Sequence, residues 1–80
     1  MTKQEVLKQT QSVFRDVFDD EAIEINEQTT ADDIEDWDSL EHINLITSIE
    51  QHFGIKFAMS EVTRFKNVGN MIDTIFVKVS

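Results

Sequence analysis

The 80-residue sequence contains no cysteine, no proline and only two glycines. Without cysteine, the chain can form neither disulfides nor thiolate-ligated metal sites. No apolar run approaches the ~20 residues that a membrane-spanning helix needs, and the N-terminus shows no apolar signal region. We therefore expect a soluble cytoplasmic protein with one small domain, residues 1–80, which buries roughly 60% of the surface of its unfolded chain.

Basic residues are missing from the whole middle of the chain. Sixteen acidic residues stand against seven basic ones, the net charge is −9, and no Lys or Arg lies between Asp16 and Ile55. Such a field repels nucleic-acid phosphates and attracts basic protein surfaces. We expect a monomer with basic protein partners and with neither nucleic acid nor membrane as a partner. The alternative is that acidity only keeps a small protein soluble.

Hydrophobic periodicity predicts an all-α chain of four helices around one core. The first helix is expected over residues 2–19 and the second over residues 39–53, with Gly54 following its end. A brief third helix is expected to begin at a Ser60 cap, and the last helix at an Asn67 cap. The expected core residues are Val6, Leu7, Phe14, Phe18, Leu45, Ile46, Ile49, Phe53, Val68, Met71, Ile72, Ile75 and Phe76, with Val13 at the edge.

The connection between the first two helices, residues 20–38, is long for a compact domain and needs packing to hold it. Thr29 and Thr30 are each followed three residues later by Asp, which predicts a short helical turn around residues 31–34. The expected apolar anchors are Ile23, Ile25, Ile34 and Trp37. After the second helix, Ile55, Phe57 and Met59 alternate and are expected to cross the edge of the core.

The stretch DWDSLEHI, residues 36–43, places a serine where this acidic connection turns into the second helix. Asp38 is a favourable N-cap, and Glu41 stands at capping-box spacing from it. Ser39 is therefore expected in the first helical turn, with its hydroxyl outside the core and near free backbone N–H groups. The plain structural interpretation is that a serine here only caps the helix.

The combination of Asp-Ser-Leu between acidic residues with an aliphatic helix ending Glu-Gln-His-Phe-Gly-Ile, residues 50–55, resembles the acyl carrier protein family. The resemblance implies a four-helix bundle with a long loop between helices 1 and 2 and a short third helix. It implies that a phosphopantetheinyl transferase, using coenzyme A and magnesium, attaches a 4′-phosphopantetheine arm to Ser39, beside Asp38. Acyl groups then travel as thioesters on the arm. The implied partner-recognition residues are Leu40, Glu41, Ile43, Asn44, Thr47 and Glu50.

The sequence departs from the fatty-acid type of this family at several positions. The pair before Asp-Ser-Leu is Asp36-Trp37, and the second helix carries Asn44 and Thr47 where glutamate and methionine are common. These residues look more like those of stand-alone carriers dedicated to a specialised pathway, such as polyketide, amino-acyl or sugar-modifying acyl transfer, than of housekeeping fatty-acid synthesis.

Rival interpretations of the same residues predict different chemistry. Ser39 and His42 have the spacing of a nucleophile and a base, but no glycine-rich turn or evident oxyanion hole accompanies them; we expect no enzyme, and solvent-facing His42 and His52. The carboxylate run lacks the EF-hand pattern, so we expect no metal site, and a calcium-responsive domain is the weaker rival. An acidic interaction module without a prosthetic group is the main alternative.

In the carrier interpretation, no basic residue lies near Ser39 in the sequence to hold the phosphate of the arm. We therefore expect the arm to swing freely.

Overall fold

The computed structural model describes residues 1–79, and within them the chain is entirely helical with irregular connections. Its elements are α1 Lys3–Val17, a 3-10 turn Ala31–Asp33, α2 Ser39–Phe53, α3 Met59–Val62 and α4 Val68–Val79. The predicted all-α class, the order of the four helices, the long loop and the short third helix are confirmed. None of the helices in residues 1–79 has the length and apolarity that crossing a membrane requires.

Local capping determines where the two long N-terminal helices start and stop. The Thr2 hydroxyl accepts a 3.1 Å hydrogen bond from the Glu5 N–H, and the Asp38 carboxylate accepts one of 2.8 Å from the Glu41 N–H. Each bond satisfies a backbone donor that the first turn leaves free. Gly54 ends α2 in the left-handed region, at φ 67°, where a residue without Cβ is favoured. The predicted start and end of α2 are confirmed.

The third helix starts two residues earlier than the sequence indicated. Its N-cap is Ala58, whose N–H donates to the Glu61 carboxylate over 2.7 Å. Ser60 lies inside the helix, so the predicted Ser60 cap is wrong; the carboxylate reaching back from the first turn replaces a capping hydroxyl. Phe65 lies beyond the helix end. Met59 is 79% exposed, so the expectation that it crosses the core edge is also wrong.

The core lies where α1 packs against α2 and α4. Most of the predicted core positions are buried, and the interior includes Val13, which was expected only at the edge. The side chains of Leu7, Phe18, Phe53 and Phe76 pack against this core but stay partly exposed. The buried apolar residues are Val6, Val13, Phe14, Ile25, Leu45, Ile46, Ile49, Val68, Met71, Ile72 and Ile75.

The long loop is tied to the start of α4 through backbone hydrogen bonds. The Thr29 carbonyl accepts from the Val68 N–H over 2.8 Å, and the Glu27 carbonyl accepts from the Gly69 N–H over 2.9 Å. A Cβ on Gly69 would lie 2.8 Å from that same Glu27 oxygen, so only glycine permits this approach. Thr29 is buried. Loop carbonyls thus satisfy two of the donors that a helix start leaves free.

Side chains of α1 hold the other half of the loop. The Gln11 amide oxygen accepts from the Ile25 N–H over 2.9 Å, and the Arg15 Nε–H donates to the Ile23 carbonyl over 2.8 Å. Ile25 is buried, and the other predicted anchors, Ile23, Ile34 and Trp37, pack partly buried against the core. The loop therefore forms a fixed wall beside the start of α2, as its apolar residues indicated.

Candidate functional site

Ser39 is the first residue of α2, exposed to solvent, directly after the N-cap Asp38. Glu41 does not complete the capping box: the Asp38 N–H donates to the Asp36 carbonyl over 3.0 Å, and the Glu41 carboxylate accepts from the Asn44 amide at 3.4 Å. Among residues 1–79, the Ser39 hydroxyl has no hydrogen-bond partner. Because Asp38 caps the helix, this hydroxyl is available for chemistry.

The Ser39 side chain stands at the wall of a cleft with a volume of about 420 Å³. The cleft is formed where the end of the long loop, the first turn of α2 and the connection between α3 and α4 meet. Its lining residues are Ala31, Trp37, Asp38, Ser39, His42, Phe65 and Lys66. The sequence placed only the residues next to Ser39 in this site, and the fold adds Ala31, Phe65 and Lys66.

One wall of the cleft is a paired indole and imidazole. The Trp37 Nε1–H donates a 3.0 Å hydrogen bond to His42 Nδ1, and the two rings stack at 5.9 Å and 20°. His42 was predicted to face solvent, but the structure leaves it only half-exposed against Trp37. Partial burial lowers the pKa of its imidazole. His52 is exposed, as predicted, and its Nε2 lies 2.9 Å from the Gln9 amide oxygen.

The same hydrogen bond limits what His42 can do. A neutral imidazole has one N–H and one lone pair, and an indole N–H can only donate. The lone pair of His42 Nδ1 is therefore engaged with Trp37, and the ring proton is on Nε2. His42 has no free lone pair with which to take the Ser39 proton, so the pair lacks the geometry of an activated nucleophile. In residues 1–79 no three acidic or histidine side chains are grouped to hold a metal ion.

Lys66 brings a positive charge to the cleft that sequence neighbours did not indicate. It follows α3, 27 positions beyond Ser39, and lines the same cleft. Its backbone N–H donates to the Asn70 amide oxygen over 3.1 Å, which fixes this part of the connection. No basic residue lies near Ser39 in the sequence, and the fold adds Lys66 to the lining of the same cleft.

The six residues expected to recognise partners fall into two groups on α2. Leu40 and Ile43 are 65% and 63% exposed, and Asn44 and Thr47 are exposed beside them, with Glu41 half-buried at the same end. The Glu50 carboxylate differs, because it accepts a 2.8 Å hydrogen bond from the Phe57 N–H. The first group presents an apolar patch with a polar surround, whereas Glu50 fastens the chain that follows α2.

Comparison with known proteins agrees with this geometry. The family described as "Phosphopantetheine attachment site" matches residues 8–75. The solution structure of a holo acyl carrier protein from Geobacter metallireducens is 46% identical, covers 92% of this chain and 85% of its own, and superposes with a TM-score of 0.88. No curated protein matches the chain. The resemblance noted from the sequence is thereby confirmed: the chain belongs to the acyl carrier protein family and carries acyl groups on a covalently attached 4′-phosphopantetheine arm.

Proposed function

We propose that Ser39 is the residue to which a phosphopantetheinyl transferase attaches the arm. The observation that carries this proposal is the exposed Ser39 hydroxyl at the start of α2, with no hydrogen-bond partner in residues 1–79 and within the family match. Its oxygen forms the phosphodiester, the nucleotide part of coenzyme A leaves, and the hydroxyl proton passes to the transferase. The surroundings fit the group, since Ser39 lines an open cleft whose lining also includes the basic residue Lys66. The terminal thiol of the arm supplies the thioester chemistry.

The partner surface in this proposal is the exposed start of α2, with Leu40 and Ile43 as its apolar centre. Asn44, Thr47 and Glu41 surround that centre with polar groups. The absence of Lys and Arg between Asp16 and Ile55 supports partners with basic docking surfaces. Exposed charge pairs contribute little each and are screened by salt, so docking is fast, weak and reversible.

Catalysis in this proposal comes from the partner enzymes and not from the carrier itself. The engaged Nδ1 lone pair of His42 supports that assignment. Trp37, Asn44 and Thr47 support a carrier dedicated to a specialised pathway. That the carrier works as a monomer in the cytoplasm, with residues 1–80 as one domain, stays a prediction from the sequence.

Intact mass spectrometry tests the attachment site. The protein is incubated with coenzyme A, magnesium and a broad-specificity phosphopantetheinyl transferase, beside Ser39→Ala and Ser60→Ala. Ser60 is an exposed serine on α3 and serves as the matched control. We expect one phosphopantetheinyl group on the parent and on Ser60→Ala, and none on Ser39→Ala, which keeps its Asp38 cap.

A mass gain in the Ser39→Ala variant would assign the arm to another residue. If the folded parent gains no mass from several transferases, the carrier proposal for Ser39 is refuted. The acidic interaction module would then be the better account of the exposed α2 surface.

A further inference from the structure

We propose that His42 is a positioning residue for the attachment at Ser39: its neutral ring holds Trp37 in place beside the serine, and its protonated ring releases Trp37. This inference rests on the attachment to Ser39 proposed above. Trp37 precedes Ser39 by two positions and His42 follows it by three. The 3.0 Å bond from Trp37 Nε1–H to His42 Nδ1 therefore closes a bridge around the serine, and loading of the carrier becomes sensitive to pH.

The bridge between the two rings exists only while the imidazole of His42 is neutral. An indole N–H can only donate, and an imidazolium carries a proton on both of its nitrogens. Turning the imidazolium by half a turn brings a carbon to the place of Nδ1 and restores no acceptor. Protonation of His42 therefore breaks the bond to Trp37 in either orientation of the ring.

Protonation of His42 loosens the residues before Ser39 and leaves the helix after it intact. The first turn of α2 is held separately, because the Asp38 carboxylate accepts from the Glu41 N–H over 2.8 Å and the Asp38 carbonyl accepts from the His42 N–H over 2.9 Å. The side chain of Trp37, in contrast, loses its acceptor. Its indole lines the open cleft, where water can accept from the released N–H.

The indole of Trp37 forms part of the wall beside Ser39, since both residues line the same cleft. Its ring also packs against α1, with its centroid 5.2 Å from that of Phe14 and 6.4 Å from that of Phe18. These contacts keep the released indole near the cleft, so that it turns in place. A turned indole changes the surface that a transferase meets at Ser39.

Charged groups around the ring of His42 influence the pH at which the bridge opens. In the cleft lining, Asp38 at the start of α2 favours the imidazolium, and Lys66 in the connection between α3 and α4 disfavours it. Glu41 precedes His42 on α2, and its carboxylate accepts from an amide of the next turn. The long loop and α1 present uncharged side chains to the pair. Burial lowers the pKa of His42 below its usual 6.5, so the bridge is closed at neutral pH and opens on acidification.

Transferase kinetics at about pH 7.5 and about pH 5.5 test this role. When the binding-competent form is only partly populated, the apparent affinity is reduced by its fraction, so acidification should raise the KM for the parent several-fold relative to that for His42→Asn. The asparagine offers a non-titrating oxygen near the place of Nδ1, and the ratio of the two KM values cancels the pH dependence of the transferase. His52→Asn changes an exposed histidine of the same helix and, as the matched control, should follow the parent.

The Nε1 proton signal of Trp37, recorded by NMR on the protein without its arm, gives a second readout that needs no transferase. In the parent it should shift in step with the ring signals of His42 as the pH falls, and in His42→Asn it should stay constant. A Trp37 signal that does not follow His42, or equal pH profiles of KM for the parent and His42→Asn, would overturn the positioning role while the mass gain upholds Ser39. A missing mass gain at about pH 7.5 would refute the attachment and, with it, this role.

Discussion

Trp37 and His42 form a stacked pair joined by a 3.0 Å hydrogen bond across the first turn of α2. The indole also meets the Phe14 ring edge-on, with centroids 5.2 Å apart. Phe14 is fully buried, so the pair connects the cleft beside Ser39 directly to the core. A change in the ionisation of His42 is therefore expected to reach both the cleft and the stability of the fold.

Stability is expected to fall on acidification through His42. Burial lowers the pKa of His42 in the folded protein from its usual 6.5, so the unfolded chain binds the proton more readily. The contribution of the Trp37–His42 pair is present above the unfolded pKa and is lost as pH falls toward the lowered folded pKa. Urea unfolding at about pH 7.5 and about pH 5.5, compared with His42→Gln, should show the larger loss in the parent.

Two controls make that comparison specific. His52→Gln changes an exposed histidine of the same helix and should keep the pH dependence of the parent. The fluorescence of Trp37, the sole tryptophan, should follow the ionisation of His42 in the parent and lose that dependence in His42→Gln. Identical pH profiles for the parent and His42→Gln would contradict the role given to the pair.

Gly69→Ala is expected to destabilise the fold although alanine is the better helix former. The new Cβ would lie 2.8 Å from the Glu27 carbonyl oxygen, and relieving that overlap costs about 1–3 kcal/mol, more than the helical gain of roughly 1 kcal/mol or less. Gln4→Ala is the control, since Gln4 is the second residue of α1 as Gly69 is of α4, and its exposed side chain meets no such overlap. A Gly69→Ala variant as stable as the parent would contradict this prediction and would show that the loop around Glu27 can shift at little cost in free energy.

Glu50→Ala is expected to lower the free energy of unfolding by about 1 kcal/mol, the usual net value of one hydrogen bond. The variant loses the acceptor of the Phe57 N–H, whose segment leads into α3. Thr47→Ala, one turn earlier and exposed, should leave stability unchanged. Chemical denaturation measures both variants; unchanged stability in Glu50→Ala, with weakened partner docking, would return Glu50 to the recognition surface.

Leu40→Ala and Ile43→Ala are expected to impair docking without affecting the fold. Both side chains are more than half exposed, so each change should alter stability by no more than about 0.5 kcal/mol. Each should raise the KM of the transferase for the carrier several-fold. Val77→Ala, on α4 and 74% exposed, is the control for loss of an exposed apolar group. An equal KM in all three variants would move the docking surface elsewhere.

Features set by neighbouring residues could be predicted from the sequence. The bounds of α2 follow from the Asp38 cap and from Gly54, and both signals act within one turn of the helix end. The exposure of Leu40 and Ile43 also follows from local periodicity, because Leu45 and Ile49 occupy the buried face. The Ser60 cap failed because two local signals competed, and the Glu61 carboxylate prevailed over the hydroxyl.

Features set by tertiary packing could not be predicted in this way. Nothing in the residues around Ser39 indicates that Lys66 lies at the same cleft, since the α3–α4 connection reaches it only in the fold. The partial burial of His42 depends on the indole of Trp37 stacking against its ring. The hydrophobic periodicity of α2 does not indicate this contact. The need for glycine at position 69 arises from the approach of the Glu27 carbonyl.

The bonds from the Thr29 and Glu27 carbonyls to the start of α4 make distant parts of the chain one cooperative unit. When the loop opens, the Val68 and Gly69 amides lose their acceptors at the same moment. Their deuterium exchange should therefore keep pace with that of the loop and not with that of the middle of α4. Opening of the long loop is therefore expected to expose the first turn of α4 as well, so that loop and helix start open together.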